Sequence, residues 1–274
     1  MTGPTTPTGL PGHVEQLSPD IEVAFEGAHW YDLSGPEHFW MHWRLQEALR
    51  LTTRIGLEHD AKLRVLDVGG GIGTVRHQLE AATSWTVDLG ELDGTALRHG
   101  QPGRGRTLQY DILERHPGLE GAYDVVVLFD VLEHIQPTHA FLQALVWHLR
   151  VGGHLLINVP ALPSGYCRYD SVQGHQRRYT KSSLRTAMAS QAVEVLDIHY
   201  WGLGMVPLLY ARKAWLETVG RNQSREETLR RGFQAPGPIG SGLLSLLMKA
   251  EQSTGAGANV PLGTSLLLAA CRQR

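Results

Sequence analysis

A cluster of glycines follows a short apolar run, and it is the part of the sequence most able to hold a ligand. The run covers 63–68 and contains one acid, Asp67, and glycines follow at positions 69, 70, 71 and 73. Glycine allows positive φ and lets a ligand approach bare main chain. A helix that starts after such a turn offers unpaired N–H groups to the ligand. The pattern predicts a strand, a turn and a helix, and the alternative is a plain tight turn.

The spacing of the glycines separates two classes of nucleotide-like ligand. A dinucleotide site requires G-x-G-x-x-G or G-x-G-x-x-A, and here its third small position is occupied by Thr74. Gly69, Gly71 and Gly73 follow the pattern G-x-G-x-G, which is the spacing of an adenosyl-methionine turn. The sequence therefore disfavours a dehydrogenase.

An acid at the end of the next strand is expected to hold the ribose hydroxyls of such a ligand. Glu91 lies 18 residues after Gly73 and is the first candidate. Asp88 is the second candidate, because either residue could end a strand near 84–90. The sequence leaves this choice open.

Further motifs follow in a fixed order, and together they are specific. They are V-L-D-V-G-G-G-I-G at 65–73, E-L-D-G-T-A-L at 91–97, Y-D-I at 110–112, Y-D-V-V-V-L-F-D-V-L-E-H-I at 123–135 and L-R-V-G-G-H-L-L-I-N-V-P at 149–160. Over about 63–200 the chain resembles the class I S-adenosylmethionine-dependent methyltransferases of the small-molecule branch. The resemblance implies S-adenosyl-L-methionine as cofactor, S-adenosyl-L-homocysteine as product, and methyl transfer as the reaction.

The resemblance also implies roles for residues at strand ends. Asp67 and the glycines would line the cofactor, Asp111 would accept a hydrogen bond from the adenine amino group, and Ile112 would lie beside the ring. For Asp111 the alternative is a helix cap. Phe129 and Asp130 would lie against the methionine part of the cofactor.

A polar and aromatic segment after the fifth strand resembles the stretch Y-D-x-x-x-G-H-x-R-R-Y-T of one branch of these enzymes. The resemblance places six of its residues near the pocket rim, namely Tyr169, Asp170, His175, Arg177, Arg178 and Tyr179. His175 is the first candidate for a catalytic base, because a pKa of about 6.5 suits proton removal near neutrality. His134 is the second candidate, although it could simply pack. Arg178 could contact substrate or brace the loop by pairing with Asp170.

An aromatic patch precedes the core. A helix is expected from near residue 34 to near 55, and His38, Trp40 and Trp43, together with Tyr31 just before it, are expected to face the substrate. The alternative is a helix that only packs on the edge of the domain.

Strands at 63–68, 84–90, 106–110, 123–129 and 153–159 alternate with helices, and further strands are expected at 192–200 and 263–271. Alternation of this kind predicts an α/β fold with a parallel sheet and helices on both faces. The resemblance makes this a Rossmann-like seven-stranded sheet with an antiparallel last strand, plus helical cover elements. The predicted organisation is a disordered tail at 1–19, a helical cover at 20–60, the cofactor-binding core at 61–201, a helical insertion at 202–262 and a last core strand at 263–274. The insertion would cover the substrate or form a homodimer contact.

Composition limits the remaining options. A net charge of −2 and a pI near 6.7 predict no nucleic-acid partner. Two distant cysteines and an N-terminus without a signal-peptide pattern favour a cytoplasmic protein, and no apolar run is long enough to span a membrane. No set of three convergent nitrogen or oxygen donors is evident, so no metal site is predicted. We expect a methyltransferase for a small-molecule acceptor, such as a secondary metabolite or lipid-like intermediate, with O- or N-methylation. The alternative is a non-catalytic cofactor-binding scaffold of the same fold.

Overall fold

The strand that precedes the glycine turn lies at the centre of the sheet. The computed structural model describes residues 10–19, 38–233, 238–253 and 260–274. Within these residues, eight strands form one sheet in the order β1-β4-β3-β2-β5-β6-β8-β7. The strands are β1 Val14–Gln16, β2 Arg64–Val68, β3 Thr86–Glu91, β4 Thr107–Gln109, β5 Tyr123–Phe129, β6 Leu149–Pro160, β7 Val193–Trp201 and β8 Ser265–Arg272.

The described helices connect and cover these strands. They are α1 Phe39–Arg54, α2 Thr74–Ala82, α3 Gly94–His99, α4 Thr138–His148, α5 Arg168–Val172, α6 Lys181–Met188, α7 Val206–Thr218, α8 Arg225–Phe233 and α9 Pro238–Ser253. Short 3-10 turns also occur, among them Ile112–Glu114, Leu132–His134 and Leu203–Met205. None of the helices in the described part of the chain is long and apolar enough to cross a bilayer.

Alternate residues of the central strands point to opposite faces of the sheet, where two hydrophobic cores form. Val125 and Val127 of β5 belong to a core shared with α1 and α2. Val126 and Leu128 belong to a second core, shared with α4 and α6. The predicted α/β class with helices on both faces is therefore confirmed. β2 is buried from both sides, so the turn that follows it starts from a fixed position.

The predicted antiparallel last strand is also confirmed. β8 lies between β6 and β7 and pairs antiparallel with both, so that Leu268 has Ile157 on one side and Ile198 on the other. The insertion between β7 and β8 contains α7, α8 and α9, as the sequence indicated. One predicted boundary is wrong. β6 begins at Leu149, directly after α4, whereas the sequence predicted a start near residue 153.

The sheet has eight strands instead of the predicted seven, and the additional strand is β1 at the edge. Val14, Glu15 and Gln16 pair parallel with Thr107–Gln109, and the backbone N–H groups of Leu17 and Ser18 donate to the carbonyl of Gln109. The disordered tail expected at 1–19 is therefore wrong for 10–19, and 1–9 lie outside the described residues. The three residues of β1 are mostly polar and show no periodic pattern in the sequence. Their strand conformation comes from pairing with β4.

Candidate active site

A cavity of about 670 Å³ opens at the carboxyl ends of the parallel strands. Its floor includes the glycine turn after β2, Glu91 at the end of β3 and Phe129 at the end of β5. Residues of α1 and α7, such as Trp40 and Leu209, lie across from them. Ligands of open α/β sheets bind at this edge, and the volume is typical of small-molecule sites.

The glycine turn leaves bare main chain facing this cavity. Gly69 has φ +67°, and a β-carbon on Gly69 would lie 2.8 Å from Val131 Cγ2. A β-carbon on Gly70 would lie 2.4 Å from a carboxylate oxygen of Asp67. A larger residue at either position would push into its neighbours, so the turn keeps an open cradle. Gly69 and Gly71 line the cavity, whereas Gly73 precedes α2 as its cap.

Glu91 is the acid that the structure brings to the cavity. One of its carboxylate oxygens accepts hydrogen bonds from the backbone of Leu92 and Asp93, at 2.7 and 2.9 Å, and the other accepts from Gly71 N at 2.8 Å. Burial raises the pKa of Glu91, and these backbone donors oppose the rise. The side chain thus joins the end of β3 to the glycine turn.

Asp88, the second candidate, lies deeper in β3 and is used structurally. Its carboxylate accepts from Arg106 N and Nη2, at 2.8 and 3.0 Å, and from the Tyr123 hydroxyl at 2.9 Å. Asp88 does not line the cavity. The geometry therefore favours Glu91 for a ligand at this edge.

Asp67 is a second carboxyl that faces the cavity. Its Oδ2 is buried and has no hydrogen-bond partner among the described residues. Burial raises the pKa of Asp67 to about 7, although the positive charges of Arg44 and Arg76 oppose the rise. An orphaned acceptor beside a glycine cradle fits a ligand that carries hydroxyl or ammonium donors. Together with Glu91, it fits the sugar and amino group of S-adenosylmethionine.

Phe129 and Asp130 both line the cavity, and Asp130 has φ +57°. One oxygen of Asp130 accepts from Asn158 Nδ2 at 2.7 Å, and the other forms an ion pair with Arg44 of α1. The Arg44 guanidinium also lies 5.3 Å from the centre of the Phe129 ring. Sequence analysis missed Arg44, a buried cation on a helix selected for its aromatic residues.

Asp111 and Ile112 are not part of this cavity. Asp111 Oδ1 accepts from Leu113 N at 2.9 Å, which is the helix cap named as its alternative role. Ile112 is buried in the core on the α4 side of the sheet. Their adenine roles stay predictions that depend on the resemblance alone.

The aromatic cover is divided between the cavity and the core. His38 and Trp40 line the cavity, and Trp40 packs edge-on against Trp201 with 4.6 Å between ring centres. Trp43 is 1% exposed and belongs to the core with Val65. Substrate contact is therefore wrong for Trp43 in this arrangement, because its position on α1 turns it toward the sheet. Tyr31 lies outside the described residues.

The loop after β6 is braced as the sequence suggested. Arg178 Nε donates to Asp170 Oδ1 at 2.7 Å, and Arg178 Nη1 donates to the carbonyl of Ala161 at 3.0 Å. Burial alone would raise the pKa of Asp170, but the hydrogen bond from His175 and the charge of Arg178 lower it to about 2. Tyr169 and Arg178 both line the cavity, and Tyr169 stacks on Arg212 of α7.

Both predicted catalytic histidines reach the cavity and lie side by side. The rings of His134 and His175 are 4.8 Å apart, and His175 Nδ1 lies 3.1 Å from Asp170 Oδ1. Burial, followed by the charge of His175, lowers the pKa of His134 to about 4. His134 is thus mainly neutral near pH 7.

Glu133 completes this cluster, and sequence analysis missed it. Its Oε1 lies 3.8 Å from His175 Nε2. Potential ligand atoms of Glu133, His134 and His175 all lie within 4.8 Å of one another. The expectation that no three donors converge is therefore wrong. His175 comes from a loop far along the chain, so no local spacing could have indicated the cluster.

Comparison with known proteins identifies the family of the chain. A family model described as a methyltransferase domain matches residues 40–197, and the chain belongs to that family. The S-adenosylmethionine-dependent class predicted from the sequence, and with it an enzyme family, is confirmed. A comparison with curated proteins found no match.

Solved structures share the fold at low sequence identity. Phosphoethanolamine N-methyltransferase 2 of Haemonchus contortus, solved with phosphomonomethylethanolamine and S-adenosylhomocysteine, is 19% identical with a TM-score of 0.55, over 91% of this chain and 60% of that one. The chain thus spans less than two thirds of that enzyme. A Bacillus halodurans protein assigned as a methyltransferase is 16% identical with a TM-score of 0.54, over 84% of this chain and all of its own. The [4+2]-cyclase SpnF is 16% identical with a TM-score of 0.51, over 83% and 82% of the two chains.

Proposed function

We propose that this protein transfers a methyl group from S-adenosylmethionine to an oxygen or nitrogen of a small-molecule acceptor. The observation that carries the proposal is that one cavity is lined by the glycine cradle, two carboxyls suited to the cofactor and a polar cluster suited to proton removal. The carboxyls are Asp67 and Glu91, and the cluster contains Glu133, His134 and His175.

The bound cofactor supplies an electrophilic methyl group on a positively charged sulfur. The chain's own residues then orient the reactants and exclude water, which are the main contributions a protein makes to such a displacement. Glu91 and Asp67 would hold the sugar and amino group. Phe129 and Asp130, fixed by Arg44 and Asn158, would border the methionine part. The polar cluster on the other side would receive the acceptor.

The shape of the site supports a small acceptor instead of a macromolecule. Elements on both sides of the cavity cover it: α1 contributes Trp40, and α7 contributes Leu209 and Arg212. Glu251 of α9 accepts hydrogen bonds from Gly202 N and Leu203 N, both at 2.8 Å, and so fixes the entry to α7. A cavity of this size beneath such a cover suits an acceptor of metabolite dimensions.

Proton removal is assigned to the cluster, with His175 as the first candidate, as in the sequence-based prediction. Asp170 Oδ1 accepts a hydrogen bond from His175 Nδ1, so His175 Nε2 is the nitrogen left to take a proton from the methyl acceptor. A positioned base of this kind typically contributes about 10²–10⁴-fold in rate. Arg178 and Tyr169 would border the acceptor.

A second candidate function keeps the cofactor but transfers no methyl group. A fold can host unrelated reactions, and the similarity to SpnF, which is described as a cyclase, is the specific observation that favours it. A non-catalytic scaffold belongs to the same alternative. Both predict cofactor binding without transfer of label.

The test separates binding from turnover. Titration calorimetry with S-adenosylhomocysteine should give one-site binding, and NAD should give none. A cofactor at 100 times its dissociation constant stabilises the fold by about 2.7 kcal/mol, which thermal unfolding detects. Incubation with methyl-labelled S-adenosylmethionine and a metabolite extract should then label a small molecule.

His175→Gln should lower turnover by about 10²-fold or more while S-adenosylhomocysteine affinity stays unchanged. A folded protein that binds neither S-adenosylmethionine nor its product contradicts the proposal. Binding without label transfer to any extract supports the second candidate.

A further inference from the structure

Glu133 is the buried acid that the methyl-transfer proposal leaves unexplained. It lies in the turn Leu132–His134 after β5, its side chain is 0% exposed, and it lines the cavity. Neither of its carboxylate oxygens has a hydrogen-bond partner within the described ranges. A buried carboxylate without a partner is costly, so a group that pairs with it in the working protein is expected.

The charged groups around Glu133 are paired with one another and leave the charge of Glu133 unbalanced. Asp130 and Asp170 face it as further carboxylates, and Arg178 is the facing cation. Arg178 is already paired with Asp170, and Asp130 is paired with Arg44. The local balance therefore favours an additional positive charge next to Glu133.

The imidazole rings of His134 and His175 lie next to Glu133, and neighbouring groups border the other side of each ring. Asp170 Oδ1 lies 3.1 Å from His175 Nδ1, and Asp170 is itself fixed by Arg178 and by Cys167 N at 2.9 Å. A β-carbon on Gly174 would lie 3.6 Å from His134 Nδ1, so the Gly174 backbone borders that side of the ring. Histidines that bind metals typically donate their second ring N–H to a carboxylate or a backbone carbonyl in this way.

We propose that Glu133, His134 and His175 form a binding site for a first-row divalent cation beside the methyl donor. Two imidazole nitrogens and one carboxylate suit Mn²⁺, Fe²⁺, Co²⁺ or Zn²⁺, whereas Mg²⁺ and Ca²⁺ prefer oxygen ligands alone. Ligands about 2.1 Å from one ion lie at most about 4.2 Å apart. The three groups lie within 4.8 Å of one another, so binding requires only a small inward movement.

All three residues line the cavity, so open coordination positions of a bound ion would be accessible from it, and this assigns the acceptor class. This step rests on the proposed function. An acceptor hydroxyl bound to the cation has a lowered pKa, as metal-bound water does. Its proton is released to the solvent at the mouth of the cavity, and its oxygen forms the new bond to the methyl carbon. The carbon–sulfur bond breaks, and its electron pair stays on sulfur, which becomes neutral. The inference therefore selects O-methylation and makes His175 a ligand instead of the base.

The experiment measures cation binding directly, using the full chain after removal of metals with a chelator. MnCl₂ and ZnCl₂ are titrated separately by calorimetry, with and without S-adenosylhomocysteine. We expect one binding site, and at least about tenfold weaker binding in Glu133→Gln, a loss comparable to that seen when metal-site residues are changed. His134→Gln and His175→Gln should show the same weakening.

His154→Gln is the matched control, because His154 lies on β6 and is not part of the cluster. It should leave cation affinity unchanged, and none of the variants should change S-adenosylhomocysteine affinity more than about twofold. If Glu133→Gln does not fold, the cation affinities of His134→Gln and His175→Gln are compared with that of His154→Gln instead.

The proposal is overturned if the wild-type chain binds neither cation, or if the cluster variants and His154→Gln bind equally well. If the chain binds S-adenosylhomocysteine and no cation, the metal site is overturned and the proposed function stands. If the chain binds the cation and no S-adenosylhomocysteine, the proposed function is overturned and the cation site stands.

Discussion

Three carboxyls that line one cavity differ in what compensates their charge, and this difference indicates what each one can bind. Glu91 accepts three backbone hydrogen bonds. Asp67 has an oxygen without a partner but has Arg44 and Arg76 nearby. Glu133 has no hydrogen-bond partner in the described part of the chain. The first is suited to a fixed role at the cofactor, whereas the other two have free acceptor capacity.

Glu91→Gln should weaken S-adenosylhomocysteine binding by roughly 10- to 100-fold, because hydrogen bonds to a charged group contribute about 1.5–3 kcal/mol. The substitution also loses the charge that orders Gly71, Leu92 and Asp93. Calorimetric titration measures the change. Unaltered affinity in a folded variant would remove Glu91 from the cofactor site.

Asp88→Asn is the comparison on the same strand. Asp88 is bonded to Arg106 and Tyr123 and does not line the cavity. We expect the variant to lose stability in urea unfolding, because Arg106 Nε and Nη2 lose their charged acceptor, while S-adenosylhomocysteine affinity stays within about twofold of wild type. A large loss of affinity with little loss of stability would show that Asp88, and not Glu91, holds the ligand.

Sequence patterns located residues of the cavity where those residues lie within one local motif. Gly69, Gly71, Glu91, Phe129 and Asp130 each lie at or directly after the end of a strand, and all line the cavity. Glu133 and Arg44 could not be selected in this way. The residues they approach, His175 and Asp130 respectively, lie in distant segments, and only the fold brings them together.

At the scale of elements, α1 has two functions that its sequence does not separate. Trp40 and Trp43 are three residues apart and both contact Trp201, with ring centres 4.6 and 5.9 Å away. Trp40 is half-buried and faces the cavity, whereas Trp43 is buried against the sheet. Helical periodicity alone places both residues on neighbouring sides, and packing against the central strands decides which of them stays open.

These positions give opposite expected outcomes for the same substitution. Trp43→Ala should lower the free energy of unfolding by about 3–5 kcal/mol, the usual cost of removing a large aromatic side chain from a core. Trp40→Ala should cost less stability and should raise KM for the acceptor more than it lowers kcat. Urea unfolding and steady-state kinetics on both variants check this. Equal stability losses with unchanged KM would show that α1 only packs.

Prediction of the elements depended on the length and apolar content of each segment. β8 is an apolar run buried between two strands, so both its position and its role were evident. β1 has three residues and is stabilised by pairing at the edge of the sheet, which local sequence does not show. The start of β6 at Leu149 was missed because Gly152 and Gly153 interrupt its apolar pattern.

At the scale of the whole molecule, the sheet places its ionisable groups at one edge, where a ligand must offset the cost of their burial. Asp67 shows this cost most directly, since its pKa is raised to about 7 in the folded chain. An unfolded aspartate has a pKa of about 3.9. Between these values the folded state binds more protons than the unfolded state, so stability falls as pH rises from about 4 to about 7 and is then constant. This change of stability with pH has the opposite sign to that of a carboxylate stabilised by an ion pair.

Asp67→Asn should therefore stabilise the cofactor-free protein at pH 8 more than at pH 5, by an amount on the order of a few kcal/mol. Urea unfolding of both proteins at the two pH values measures the double difference, in which the titration of all other groups cancels. Asp60→Asn, at an exposed position, is the matched control and should show no such difference. The same Asp67→Asn variant should bind S-adenosylhomocysteine more weakly, because the orphaned acceptor that faces the ligand is lost. Equal stabilisation at both pH values would mean that Asp67 is already ionised at pH 5, with its charge balanced by Arg44 and Arg76.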